Sequence, residues 1–334
     1  PWDGTPLQGQ LAVVGRDGDG TTQKIFAAID VRKTYGRVTL AGAGPGDPEL
    51  MTVKAIKALK KADCVFYDYL VHENLLEYAP DAEKINAGKR KGGHTMPQAE
   101  LSRMLRQKAM AGKTVVRLKG GDPFIFGRGA EEIEYLRSYH IGVDVIPGIT
   151  SATGIPSSLG IPLTARGVSS SVAFVSAHTE DESDTAPQPV LIPHAETLVF
   201  FMGLTKLPEI VQSLRAAGWK DTTPAVVISK GTRADEKVVP GLLRDMEDLT
   251  AKENLSPPAL IIVGETVRFF QNGSRFRERI LYLGTNPEKY KSLGTIIHHP
   301  MIAVSPATID PGDARHILDG LPRTDLIILT SRFA

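Results

Sequence analysis

Between residues 115 and 129 the run Val115-Val116-Arg117-Leu118-Lys119 stops at Gly120-Gly121, turns through Asp122-Pro123, and passes Phe124-Ile125-Phe126 to reach Gly127-Arg128-Gly129. A β-branched run ended by paired glycines and followed by acidic, helix-forming residues predicts a strand, a loop with close backbone approach, and a helix. With no side chain at Gly120 or Gly121 a ligand can lie against their peptide groups, while Asp122 can receive a cationic group and Arg128 an anionic one. The same residues also suit a tight turn in which Asp122 hydrogen-bonds its own backbone and Arg128 is solvated. The rest of the chain separates the two.

A length of 334 residues exceeds what a single core usually supports, so two or three domains are expected. With 42% hydrophobic and 23% charged residues the composition is that of an ordinary soluble protein, and no apolar run approaches the ~18 to 20 residues that span a bilayer. No membrane association is expected. The formal net charge of +1 argues against a general nucleic-acid binder, so any acidic ligand must be met by local clusters of cations. The single cysteine, Cys64, stands in the apolar run Cys64-Val65-Phe66-Tyr67; it has no internal disulfide partner and suits a reducing cytoplasm.

Residues 1–36 carry a candidate strand at 11–14 and a candidate helix at 23–33 but no motif, and form an extension of open role. From residue 38 the strand Val38-Thr39-Leu40-Ala41 enters Gly42-Ala43-Gly44-Pro45-Gly46-Asp47-Pro48, with Asp47 as helix N-cap and Pro48 at the first helical position. The spacing invites a dinucleotide site, yet Asp47 stands where the third glycine is needed and would repel a pyrophosphate. A helix burying Leu50, Val53, Ile56 and Leu59 should follow, then a strand at 64–67 ending on Asp68, a carboxylate suited either to a site or to capping a turn. The basic cluster Lys89-Arg90-Lys91 precedes a helix over 95–112 that buries Leu101, Met104, Leu105 and Ala109. A helix over 128–139, a strand at 143–146 and the small-residue turn Pro147-Gly148-Ile149-Thr150-Ser151 complete a strand–helix alternation that predicts a parallel α/β sheet for a first domain, 37–150. In a second α/β domain, 151–270, strands are expected at 172–176 (running into His178), 198–203, 225–229 and 259–263, with a mobile acidic loop over 180–193 and a helix near 242–249. Lys230-Gly231-Thr232 makes another strand-end turn.

Five strand-end motifs now stand in order: GAGPGDPELMT at 42–52, FYDYLV at 66–71, VRLKGGDPFIFGRGAEE at 116–132, VIPGITSATG at 145–154 and FFMGL at 200–204. Together they resemble the uroporphyrinogen-III C-methyltransferases of the class III, or tetrapyrrole, methylases, over about residues 37–269. The resemblance implies a two-domain tetrapyrrole methylase fold, usually a homodimer, with the active site in the cleft between domains. It implies S-adenosyl-L-methionine as methyl donor, S-adenosyl-L-homocysteine as product, and methylation of uroporphyrinogen III at C2 and C7 to precorrin-2, which feeds sirohaem, cobalamin or haem d1 synthesis. Carried over residue by residue, cofactor contacts fall on Pro45, Gly120, Gly121, Asp122, Ile125, Thr150, Ser151, Met202 and Gly231. The family's base and acid correspond to Asp68 and Lys89. Tetrapyrrole contacts correspond to Arg128, Glu131, Arg166 and His178, and Arg128 is also a proposed base.

The residue chemistry agrees with that implication. Methyl transfer from a sulfonium needs positioning and exclusion of water rather than a metal, and a ring bearing eight carboxylates needs fixed cations. An arginine has too high a pKa to serve readily as a base, so Arg128 reads better as a carboxylate clamp. The competing readings are a dehydrogenase using the 42–47 loop and a tetrapyrrole- or S-adenosylmethionine-binding regulator without turnover. Residues 277–334, with candidate strands at 280–283, 302–304 and 325–331, resemble the opening of a uroporphyrinogen-III synthase, a partial α/β segment too short to cyclise hydroxymethylbilane.

Overall fold

The computed structural model describes residues 16–88, 96–177 and 189–270, together with the backbone of 278–282 and 294–298. The candidate strands at 11–14, 302–304 and 325–331, the Lys89-Arg90-Lys91 cluster, His178 and most of the 180–193 loop lie outside the described residues.

Helix α1 (Gly20–Ile29) is capped by Asp19, whose carboxylate accepts from the N–H groups of Thr21 and Thr22, and it buries none of its side chains. Strands β1 (Arg37–Gly42), β2 (Cys64–Tyr67), β3 (Glu83–Asn86), β4 (Val115–Lys119) and β5 (Gly142–Ile146) then form a sheet of order β3-β2-β4-β1-β5. Every neighbouring pair is parallel, so all five carboxyl ends lie along one edge. Alternate residues of each strand face opposite ways, which is why Ala41, Val65, Val116 and Leu118 pack beneath α2 (Val53–Leu59), while Val38, Leu40, Cys64, Phe66 and Val115 pack beneath α3 (Gln98–Met110) and α4 (Gly129–Ser138). One expectation fails here. Val53 is 66% exposed, because Asp47 caps a short 3-10 turn at Pro48–Leu50 and Thr52 then caps a separate helix. The break resets the helical phase, and the buried positions become Met51, Ala55 and Leu59.

The second half opens with α5 (Ser151–Ser158), capped by Thr150, and continues through β6 (Val172–Ser176), β7 (Thr197–Phe201), α6 (Leu207–Ala216), β8 (Pro224–Ser229), β9 (Lys237–Leu242), α7 (Met246–Lys252) and β10 (Ala259–Val263). Its sheet runs β6-β7-β10-β8-β9; β6 and β7 are parallel and the remaining pairs antiparallel. Helices α6 and α7 cover one face, and α6 buries Leu207, Ile210, Val211 and Leu214 at helical spacing. Helix α5 covers the other through Ala152 and Ile155, against Val199, Val226, Ile228, Leu260 and Ile262. The sequence did not predict β9, whose Pro240 and Gly241 weaken a strand signal; at the edge of a sheet both are tolerated. The helix expected at 242–249 is correspondingly displaced to α7.

Residues up to Phe270 group as one unit, and residues from Gln271 onward as another. In the latter, β11 (Glu278–Tyr282), overlapping the strand expected at 280–283, pairs in parallel with β12 (Gly294–His298). Among the described residues no helix is long and apolar enough to cross a membrane.

Candidate active site

At the carboxyl edge of the first sheet three loops meet backbone to backbone. A Cβ on Gly148 would lie 2.1 Å from the carbonyl oxygen of Gly121, and one on Gly42 would lie 2.5 Å from the same atom. Only glycine leaves room for that approach. The loops are also hydrogen-bonded, since Gly121 N–H donates to the Gly44 carbonyl at 2.8 Å and Gly44 N–H to the Gly121 carbonyl at 3.2 Å. Asp122 fastens the third loop, accepting from Phe124 N–H on one oxygen (2.9 Å) and from Gly148 N–H on the other (3.0 Å). Ligands of α/β sheets collect outside such carboxyl ends.

Above this floor lies a crevice with an open volume of about 210 Å³, far more than the ~10–15 Å³ one water requires. Its lining includes all nine residues singled out for cofactor contact: Pro45, Gly120, Gly121, Asp122, Ile125, Thr150, Ser151, Met202 and Gly231. Asp68 lines it too. The facing wall comes from the second sheet and α5, through Ile155, Phe201, Ile228 and Leu260. Met202 and Lys230 follow β7 and β8 at positive φ (54° and 52°), a conformation uncommon for non-glycine residues and frequent around functional sites. The halves are clasped by the turn at 230–236: Asp47 N–H donates to Thr232 Oγ1 (3.1 Å), and Arg233 Nη2 donates to the Leu70 carbonyl (2.6 Å).

The residues assigned to the tetrapyrrole are placed less closely. Arg128 and Glu131 flank the start of α4, half-exposed and joined by two hydrogen bonds of 2.9 and 2.7 Å; neither lines the crevice, although Gly127 does. Arg166 is exposed on the turn closed by the Ala165–Ser169 bridge. Lys89 and His178 lie outside the described residues.

A family model described as Tetrapyrrole (Corrin/Porphyrin) Methylases matches residues 37–247, which take in the first sheet and strands β6 to β9 and end at the start of α7. The chain belongs to the tetrapyrrole methylase family. Among individual relatives of this methylase, a uroporphyrinogen-III C-methyltransferase of Methanocaldococcus jannaschii is 47% identical over 234 residues, which cover 70% of this chain and 97% of that protein. A siroheme synthase of Pseudomonas fluorescens is 46% identical over 262 residues, 78% of this chain but 56% of the relative. The chain thus spans little more than half the length of such synthases. Among solved structures, a uroporphyrin-III C-methyl transferase from Thermus thermophilus complexed with S-adenyl homocysteine superposes with a TM-score of 0.60 at 39% identity, over 70% of this chain and all of that one.

The methylase crevice also draws on residues that sequence reasoning passed over: Lys119, Phe126 and Arg233. Lys119 and Arg117 are buried at alternate positions of β4, the middle strand, on the α3/α4 face. Central parallel strands read as near-continuous apolar runs, so two cations there were a usable signal. They meet Glu132, fully buried in the first turn of α4, whose Oε1 accepts from Lys119 Nζ (2.9 Å), Gln98 Nε2 (3.1 Å) and Arg117 Nε (3.3 Å). Arg117 Nη2 also donates to Asp68 Oδ1 at 2.6 Å. Burial pushes the Lys119 ammonium below the ordinary lysine pKa, and the nearby Arg117 charge pushes the same way. Among the described residues no cluster of three or more His, Cys, Asp or Glu side chains is arranged to hold a metal.

Proposed function

We propose that this chain is the methyltransferase part of a protein that methylates uroporphyrinogen III at C2 and C7, giving precorrin-2, with S-adenosyl-L-methionine as donor. The convergence of five separate strand-end loops on one crevice carries the reading. The crevice suits such a donor: its wall is flush at Gly120, where a Cβ would come within 3.0 Å of the Leu70 side chain, its floor offers backbone and hydroxyl groups at Thr150 and Ser151, and Ile125, Met202 and Leu260 supply apolar surface. Pro45, Gly120, Gly121, Asp122, Ile125, Thr150, Ser151, Met202 and Gly231 are the residues assigned to holding it. When bound, the donor supplies an electrophilic methyl group.

The protein's own part is to orient and to take up a proton. In-line displacement requires the reacting carbons to be held close with water excluded, and the crevice is walled by Ile155, Phe201 and Ile228 on one side. Asp68, at the wall and hydrogen-bonded on one oxygen, takes the proton that the methylated macrocycle must release. Lys89 is assigned as the partner acid. Arg128, Arg166 and His178 are assigned to the ring carboxylates, with Glu131 holding Arg128 until a substrate carboxylate replaces it. That exchange costs little, because exposed ion pairs contribute about 0–1 kcal/mol, whereas a charge-assisted hydrogen bond in a drier site contributes roughly 1.5–3 kcal/mol. The division into 37–150 and 151–270, a homodimer in solution, and a cytoplasmic setting complete the proposal.

Mass spectrometry of the reaction of uroporphyrinogen III with S-adenosyl-L-methionine tests it. Products heavier by one and then two methyl groups are expected. Donor binding with no transferred methyl group would refute the enzymatic reading in favour of a regulator, and hydride exchange with a nicotinamide cofactor would favour a dehydrogenase. Against the last, Asp47 spends its carboxylate capping Glu49 N–H at 2.8 Å and its own N–H on Thr232.

A further inference from the structure

Asp68, Arg117, Glu132 and Lys119 form one chain of charges that surfaces in the crevice only at its two ends. Asp68 and Lys119 line the cavity; Arg117 and Glu132 do not, and both are buried, Arg117 on β4 and Glu132 in the first turn of α4. All three guanidinium nitrogens of Arg117 are engaged: Nη2 with Asp68 Oδ1 (2.6 Å), Nε with Glu132 Oε1 (3.3 Å) and Nη1 with the Leu118 carbonyl (3.3 Å). A planar fork so occupied has a single orientation, and a lysine in its place, a point charge on a flexible stem, could not hold the two carboxylates in that fixed geometry. Glu132 is itself pinned, because its Oε1 is shared among Gln98, Arg117 and Lys119.

Stability alone does not account for this. Burying two ion pairs is costly in desolvation, and apolar side chains of similar volume are often as stabilising or more so. Asp68, by contrast, sits just past β2 on a segment with no regular structure, where its carboxylate would otherwise sample several rotamers. We propose that Arg117 is a positioning residue that fixes the Asp68 carboxylate at the crevice wall, braced from behind by Glu132. The inference rests on the methyltransferase reading, in which Asp68 takes up the proton. Its geometric content is independent of that reading: without the fork, the carboxylate is no longer confined to one orientation.

Arg117→Lys, which keeps the buried charge and removes the fork, is the decisive variant, with Glu132→Gln as the second should the first fail to fold. Crystal structures of the wild type and the variant give the readout that needs no activity. Asp68 is expected in one conformer in the wild type and displaced, or spread over several, in the variant; retention of the wild-type conformer overturns the proposal. With uroporphyrinogen III as substrate, kcat is expected to fall about tenfold to a hundredfold, while KM and the Kd for S-adenosyl-L-homocysteine stay within about threefold. In an Asp68→Asn background the same substitution should cost less than about twofold more, because the group it positions is gone. Losses that add in full, or a kcat equal to wild type, overturn the positioning role. A wild-type chain that transfers no methyl group instead refutes the methyltransferase reading, and the Asp68 conformer then decides the positioning alone.

Discussion

Arg128 holds both carboxylate oxygens of Glu131 across a single helical turn. The hydrogen bond from Arg128 is the largest influence on Glu131, holding its carboxyl below the ordinary value of 4.5 against the opposing effect of desolvation. Arg128→Ala should therefore return the Glu131 titration toward 4.5, measurable by carboxylate NMR, and should abolish most turnover while the donor still binds in calorimetry. The folded-state stability that the pair contributes is present above that value and lost as pH falls through the lowered one; it is small, because both side chains are half-exposed. Cys64 presents the converse case. Burial pushes its thiol up to about 11, so a thiol reagent at pH 8 should leave the native protein unlabelled and modify it fully in denaturant. At this scale the sequence was read well where a residue's neighbours in the chain decide its role. Asp122 shows the limit, since the Asx-type contact to Phe124 was legible, whereas the bond from Gly148, 26 residues away, was not.

Elements were legible in proportion to how local their causes are. Strands β1, β2 and β4 announce themselves by apolar runs closed by glycine or aspartate, but the phase of α2 turned on one threonine cap and β9 on edge tolerance for Pro240. The charges within β4 were visible as letters, while the arrival of Glu132 from α4 and Gln98 from α3 on the same face depended on packing. Strand-end contact gives the sharpest test here. Gly148→Ala places a methyl group 2.1 Å from the Gly121 carbonyl oxygen, with backbone on both sides and nothing flexible to yield. A loss of about 1–3 kcal/mol or more is expected in denaturant unfolding, with donor binding weakened alongside. Gly160→Ala is the control for size alone, since a Cβ there meets nothing within 4 Å; its own penalty comes only from the positive φ of 71°.

Up to Phe270 the chain is two sheets of different construction that share one crevice, one all-parallel and one mixed. The motif order located the loops on the first sheet correctly. It did not foretell that the 230–236 turn would reach back to Asp47 and Leu70, because hydrogen bonds spanning 163 and 185 residues leave no local trace. Arg233 thus touches both the ligand space and the opposite half. Arg233→Ala should weaken S-adenosyl-L-homocysteine binding by about 1–2 kcal/mol, roughly tenfold, and lower the unfolding midpoint as the bond to Leu70 is lost, as calorimetry and thermal denaturation would report.

The floor where Gly42, Gly121 and Gly148 touch is made of main chain alone. At that contact no side chain projects that could be exchanged for something else. A laboratory effort to change what the crevice admits would therefore work on the side chains around that contact, Met202 and Phe126 among them, and the accepted mutations of any selection should gather there while the three glycines stay untouched.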